Sequence, residues 1–354
     1  MVIDDRIRIA LPHILRITLI GALAAAAYGY FAATAAGGVG IYGIERGLLS
    51  GSIIAFVLSS LNIFVLQAPI GGGGGVRRTP FLVHLGLKSL FYVVVFLLGI
   101  AAGEWLVPIP SFPGLQIGLG DFLVFIAISF VVNFLLDLNS LLGQNVLLSF
   151  VTGRYFRPRV EERIFLIIDM KNSTAAAERL GEVDFHRLLN RFIGDLTGSI
   201  VAQRGQIHKY VGDELIVTWP LAVGLKDARC VRACFGGIGR LAELGPSYER
   251  EFRLRVDLRA GLHCGPVVIG EMGTIKREIA LIGDTMNTAA RIVDFARDSG
   301  EPVIASSALL NQLAMPAGVS ARALGPIRLR GKKSPIELLA LKAEAATLVR
   351  SPAA

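Results

Sequence analysis

FLIIDMKNST, residues 165–174, passes within ten residues from an unbroken apolar run to an aspartate and then to a segment suited to open a helix. The run Ile164–Ile168 shows no polar alternation, so it predicts a short strand covered on both faces, with Asp169 leaving its end. Downstream, Ser173–Leu180 and Val183–Arg204 carry helical spacing. Gln206–Val211 and Leu215–Trp219 read as strands joined by Gly212-Asp213, a tight hairpin signal. Leu225–Leu244 reads as a helix, Leu254–His263, Val267–Ile269 and Ile279–Ile282 as strands, and Met286–Phe295 as a helix. Short strands at Val303–Ala305, Ile327–Leu329 and Ile336–Leu341 finish the segment. A βαββαβ order of this kind predicts an α+β domain, one sheet covered by helices.

Upstream the chemistry changes. Of 354 residues 53% are hydrophobic and 18% charged, where a soluble domain carries about a quarter charged. The first 150 residues hold only 7 of the 36 Lys+Arg and 6 of the 28 Asp+Glu. Ile17–Ala36, Leu48–Ile70, Ser89–Val107 and Asp121–Leu142 are each close to the ~20 apolar residues that a bilayer crossing needs. Gly71–Gly75 and Pro108–Pro113 break the connections. Arg6, Arg8 and Arg16 precede the first span, Arg77, Arg78 and Lys88 lie in the second connection, and Arg154, Arg157 and Arg159 follow the fourth. The positive-inside rule then puts the N-terminus and the C-terminal domain in the cytoplasm, with a multi-pass anchor in the inner (plasma) membrane. This excludes a purely soluble protein, a disordered chain and a secreted disulfide scaffold. The expected organisation is a four-helix membrane domain over 1–142, a helical linker over 143–160, a folded domain over 161–345 and a tail over 346–354. The linker could transmit a signal or serve as a passive tether.

Cys230, Cys234 and Cys264 include no CxxC pair, which argues against zinc and against a disulfide framework. Cys230 and Cys234, four apart, are expected to share a buried helix face. The net charge of +8 comes from scattered basic residues without interleaved aromatics, so no nucleic acid polymer is expected as a partner.

Asp169 and Asp213 are expected at one edge of the sheet, the first at a strand end and the second at a hairpin tip. Taken singly, each reads equally well as a turn aspartate or a cap. As a pair they suit hard divalent ions, which take oxygen ligands and leave positions for water or phosphate. Behind Asp169, Asn172, Ser173 and Thr174 would open a helix whose N–H groups form a phosphate site. Asn287 and Arg291, four apart, share a helix face.

FLIIDMKNST, KYVGDELIV (209–217), GLHCGPVVIGEMG (261–273) and IGDTMNTAARI (282–292), in this order, resemble the class III nucleotidyl cyclase catalytic domain. The resemblance covers about residues 161–341 and rests most on GDTMNTAAR; VGDE alone is a weak signal. It implies a ferredoxin-like βαββαβ domain working as a head-to-tail homodimer. It implies that Asp169 and Asp213 of one copy hold two Mg²⁺ or Mn²⁺ per site. From the other copy Asn287 would orient the ribose and Arg291 would stabilise charge on the α-phosphoryl group. Arg330 or Lys332 would meet the terminal phosphates. Lys209 falls where adenylyl cyclases keep the lysine that reads adenine N1, which implies ATP as substrate and cyclic AMP as product. The second purine-reading position aligns with Ala280, which offers no side-chain hydrogen bond, so a guanylate cyclase or a cyclase of relaxed specificity stays open.

Readings of other kinds remain. A diguanylate cyclase would explain VGDEL as a degenerate hairpin motif, but neither GDTMNTAAR nor Lys209. A membrane receptor with a catalytically silent cyclase-like dimerisation module would not need both carboxylates together with Asn287 and Arg291. A transporter would need a polar pathway that the apolar spans lack.

Overall fold

The computed structural model describes residues 2–35, 39–61, 81–106, 152–275 and 277–344, with scattered positions between 123 and 150. The chain divides into two compact units, Met1–Ser140 and Leu141–Ala354.

In the first unit the apolar runs form α1 (Val2–Ala35), α2 (Gly40–Leu61) and α3 (Phe81–Leu106). Three stretches within them, Ile14–Thr34, Gly40–Ser60 and Leu85–Ala102, are long and apolar enough to cross a membrane. The sequence predicts four spans. The described residues contain three such helices, and the fourth expected span, Asp121–Leu142, lies for the most part outside them. The Gly71–Gly75 and Pro108–Pro113 connections lie outside them as well. Small residues let α1 and α2 approach backbone to backbone: a Cβ on Gly29 would fall 2.0 Å from the Gly43 carbonyl oxygen, and one on Gly47 would fall 2.2 Å from that of Ala25. Such close approach is how helices gain van der Waals contact where lipid removes the hydrophobic driving force.

In the second unit, β1 (Arg159–Met170) is followed by α4 (Ser173–Leu180) and α5 (Glu182–Ala202), then by β2 (Gln206–Val211) and β3 (Glu214–Pro220). Next come α6 (Leu221–Leu225), a 3₁₀ turn at Lys226–Ala228, α7 (Arg229–Phe252), β4 (Leu258–Met272) and β5 (Glu278–Ile282). The chain closes with α8 (Asp284–Ser299), β6 (Val303–Ser306), α9 (Ser307–Leu310), β7 (Val319–Ile327) and β8 (Ile336–Ala343). The strands are ordered β2-β3-β1-β4-β6-β8-β7, with β5 paired to β4. Within it, β2-β3-β1-β4 is the ferredoxin-like core expected from the βαββαβ order.

The apolar run of β1 is explained by burial on both sides. Ile164, Leu166 and Ile168 pack with Leu188, Phe192 and Leu196 of α5 and with Val231 and Cys234 of α7. Phe165 and Ile167 face the opposite way, toward Ala289 and Val293 of α8. Cys230, Cys234 and Cys264 are all free and buried, and burial pushes the Cys230 thiol up to about 12.

Three local expectations are corrected. The helical linker does not reach residue 160: turns occupy 153–157, Gly153 has φ 63°, Pro158 cannot continue a helix, and β1 begins at Arg159 by pairing with Ile269. Residues 143–148 of that linker lie outside the described residues. The separate strands expected around Gly265-Pro266 are one strand, because β1 pairs with β4 from Arg159↔Ile269 to Met170↔Leu258. The strand expected at Ile327–Leu329 is instead β7, which ends at Ile327 after pairing with β8.

Candidate active site

Asp169 is the penultimate residue of β1, opposite Glu214 on β3 and Arg259 on β4. Asp213 completes the two-residue turn between β2 and β3, after Gly212 at φ 61°. A two-residue turn leaves no slack, so pairing of β3 with β1 carries Asp213 to the end of β1. The two aspartates predicted to share a sheet edge do share it.

Their electrostatics are those of a crowded anionic site. Asp169 is 2% exposed. Its Oδ2 takes a hydrogen bond from Arg297 Nη2 at 3.1 Å and lies 3.4 Å from Arg259 Nη1. Burial raises the Asp169 pKa above the usual carboxylate range, contact with the Asp213 carboxyl raises it further, and Arg297 pulls it back. Glu214 is likewise raised, by burial first and then by Asp169, Asp294 and Asp213. Asp213 Oδ2 is buried and has no hydrogen-bond partner. A buried carboxylate oxygen without a donor is costly unless a cation completes it. Among the described residues no three His, Cys, Asp or Glu side chains form a ready-made metal cage. The donor set is a carboxylate pair, which fits a hard ion drawing its other ligands from water or phosphate.

Asn172 stands between β1 and α4 in the left-handed region, φ 57°, and its carbonyl accepts the Ala176 N–H at 2.9 Å. Ser173 and Thr174 therefore open α4 four and five residues after Asp169, as expected.

The remaining predicted residues lie on other elements. Asn287 and Arg291 lie on α8, and the Arg291 guanidinium rests against Gly331, whose added Cβ would lie 3.3 Å from Nη2. Gly331 has φ 72°, a conformation that favours glycine, and it turns the chain between exposed Arg330 and half-buried Lys332. Lys332 donates a hydrogen bond to Asp284 at the start of α8, so this loop is tied to the helix bearing Asn287 and Arg291. Arg297 follows Arg291 by six residues, about 9 Å along the helix axis at 1.5 Å per residue. The carboxylate pair and the Asn287–Arg291 face thus attach to different stretches of α8. Lys209 lies on β2 beside Glu278, and Ala280 is buried on β5.

Residues 158–342 match the model of the adenylate and guanylate cyclase catalytic domain, slightly more than half of the chain. The chain belongs to that family. It is 35% identical over 231 residues to adenylate cyclase 2 of Rhizobium meliloti (strain 1021), covering 62% of this chain and 64% of that relative. It is 25% identical over 187 residues to the adenylate cyclase of Anabaena cylindrica, covering 50% of this chain and 36% of the relative. The chain therefore spans less than two thirds of either relative. Among solved structures, a bacterial light-regulated adenylyl cyclase superposes with a TM-score of 0.55 at 20% identity, covering 66% of this chain and 70% of that one. That likeness concerns the fold.

Sequence reasoning did not anticipate four neighbours of the expected site residues: Arg259 and Arg297 beside Asp169, Glu278 beside Lys209, and Asp284 beside Lys332. Arg259 had one usable signal, its place in a strand antiparallel to β1. The others had none short of knowing which elements meet.

Proposed function

We propose that the protein is a membrane-anchored adenylate cyclase, converting ATP into 3′,5′-cyclic AMP and pyrophosphate at sites shared between two copies. The observation that carries this reading is the buried, donorless Oδ2 of Asp213 beside Asp169. Together the two carboxylates would hold Mg²⁺ or Mn²⁺, two per site. When bound, such ions favour ionisation of the ribose 3′-hydroxyl and neutralise the triphosphate.

The chain's own residues do the positioning. The N–H groups opening α4 at Ser173 and Thr174 point a partial positive charge at phosphate. Lys209 donates to adenine N1. Asn287 of the second copy holds the ribose, and its Arg291 takes up charge on the α-phosphoryl oxygens as the 3′-oxygen bonds to the α-phosphorus and the bond to pyrophosphate breaks. Arg330 or Lys332 would meet the departing phosphates. Use of two copies is supported by the exposed apolar residues Tyr210, Val211, Val268, Met272 and Ile282 on β2, β4 and β5, a set that water alone does not favour. Membrane lipid is the proposed partner of the first unit, supported by exposed Leu19, Ile20, Phe31, Leu90 and Leu98 on α1 and α3. With termini and catalytic domain cytoplasmic, reporter fusions at the C-terminus should be active only on the cytoplasmic side.

Product formation from ATP and from GTP, with Mg²⁺ and then with Mn²⁺, tests the proposal. Cyclic AMP from ATP is the expected result. No product from either nucleotide would favour a silent dimerisation module, and cyclic GMP alone would reassign the substrate.

A further inference from the structure

We propose that the cavity behind the end of β1 binds a small aromatic carboxylate, its ring on an apolar floor and its charge on Arg179. This site goes beyond the nucleotide reading and does not depend on it.

The cavity measures about 270 Å³ and lies between the end of β1, α4, α5 and the segment 254–256 just ahead of β4. That is slightly under the ~300 Å³ at which sites for drug-sized ligands begin, so a single ring suits it better than a nucleotide. Its floor is apolar: Met170, Ala176 and Leu188 are buried and Leu254 is half-buried. Met170 belongs to the same core face of β1 as Ile164, Leu166 and Ile168, whereas Asp169 leaves the strand on the side of Phe165 and Ile167. The cavity and the carboxylate pair therefore lie on opposite faces of the sheet. The room comes from α4, where Ala175 and Ala176 share a helix face with Arg179 at spacings of four and three. Their methyls leave space that longer side chains would fill.

The rim is basic. Lys171, Arg179 and Arg255 line the cavity, and no acidic residue does. Two of these cations already have partners outside the lining: Lys171 Nζ donates to Asp257 Oδ2 at 2.7 Å, and Arg255 donates to Glu249. Arg179, exposed in the last turn of α4, has no ion pair or hydrogen bond among the described residues. Its planar guanidinium can meet a carboxylate through two parallel N–H···O bonds. A ring attached to that carboxylate would cover the apolar floor and remove it from water. A neutral ring would forgo the guanidinium, and a bare carboxylate would forgo the floor.

The test uses the full chain in lipid nanodiscs, without nucleotide, and follows fluorine NMR line widths of 4-fluorobenzoate, 4-fluorobenzyl alcohol and fluoroacetate. For the unaltered protein 4-fluorobenzoate should broaden saturably with a Kd on the order of 1 mM, as a ligand of this size allows. The alcohol, the same ring without the charge, should bind about tenfold more weakly, the scale of a hydrogen bond to a charged group. Fluoroacetate, the charge without the ring, should show no saturable binding. Arg179→Gln should weaken 4-fluorobenzoate about tenfold. Ala175→Leu, which keeps every charge and adds bulk at an exposed helix position, should abolish its saturable binding. Lys332→Gln, away from the cavity, should leave it unchanged. Absence of saturable binding, equal affinity for acid and alcohol, binding that survives both α4 variants, or loss on Lys332→Gln would each overturn the proposal.

Discussion

Arg297 Nη2 sits 3.1 Å from Oδ2 of Asp169, joining the fourth turn of α8 to the end of β1 across 128 positions of sequence. The same oxygen lies 3.4 Å from Arg259 Nη1, so two guanidinium groups hold the charge that a divalent ion would otherwise balance. Arg297 is half exposed and also faces Asp294, while Arg259 is mostly buried.

A cation entering at Asp169 has to compete with Arg297. Replacing Arg297 with Gln should therefore tighten Mn²⁺ binding severalfold in the absence of nucleotide, measured by calorimetric titration. The same variant should melt at a lower temperature in chelator, since Asp169 then loses a charge partner while staying buried. Weaker Mn²⁺ binding would count against competition at this carboxylate.

A site shared between copies makes a distinct demand. Asp213→Ala and Asn287→Ala should each reduce cyclic AMP formation by at least about 100-fold alone, the scale lost with one transition-state contact. Mixed, they should recover part of the activity, because one of the two sites in a mixed dimer keeps every group. Well-folded mixtures that stay inactive would argue for sites built within one copy.

Gly331 carries two constraints at once. Its φ of 72° would cost a residue with a Cβ about 1–2 kcal/mol, and that Cβ would lie 3.3 Å from Arg291 Nη2. If Arg291 acts on the α-phosphoryl group as proposed, rather than on substrate capture, Gly331→Ala should lower kcat about tenfold or more with little change in KM for ATP.

Two histidines give the fold an acid limit. Burial first, with Lys209 and Arg163 behind it, pushes His208 down to about 4; burial and Lys332 do the same for His263, whose Nδ1 is 2.8 Å from Ser306 Oγ. Both are neutral in the folded state at pH 6, while the unfolded chain begins to take up protons near 6.5. Their contribution to stability is therefore complete above about pH 6.5 and is lost as the pH falls toward 4. Asp169 and Glu214, raised by burial, act in the opposite direction. The comparison that isolates an imidazole is the melting temperature of His263→Asn against the unaltered protein from pH 7.5 to 4.5: the variant should show the shallower acid slope.

In the first unit, Gly43→Val should separate α1 from α2, since a Cβ there would lie 2.1 Å from the Gly29 carbonyl oxygen. Faster proteolysis in detergent, with α3 variants such as Leu98→Ala unaffected, would report it.

Local chemistry made several features legible in advance. An apolar run of five ending in an aspartate favours a short buried strand by its length and its β-branched content, and Gly212-Asp213 between two strands is a hairpin turn signal. The carboxylate pair followed from those two local facts plus the expectation that sequential strands pair. The boundary at Arg159 was less legible, because strand formation there depends on Ile269, which lies far along the chain. The continuity of β4 through Pro266 was hidden for the same reason: pairing with β1 holds together what the local sequence would interrupt.

By itself the sequence determined the alternation of strands and helices, the apolar half, the aspartates at the ends of two neighbouring elements and the common face of Asn287 and Arg291. Each of these depends on residues within a few positions of one another, where periodicity and turn chemistry act. Only the tertiary structure decided that Arg297 reaches Asp169, that Gly331 supports Arg291, and that Glu278 comes to Lys209 across three intervening strands. Those meetings are set by strand register, by sheet curvature and by which end of a helix lies over which strand, quantities that emerge when the whole core packs and that no short window contains.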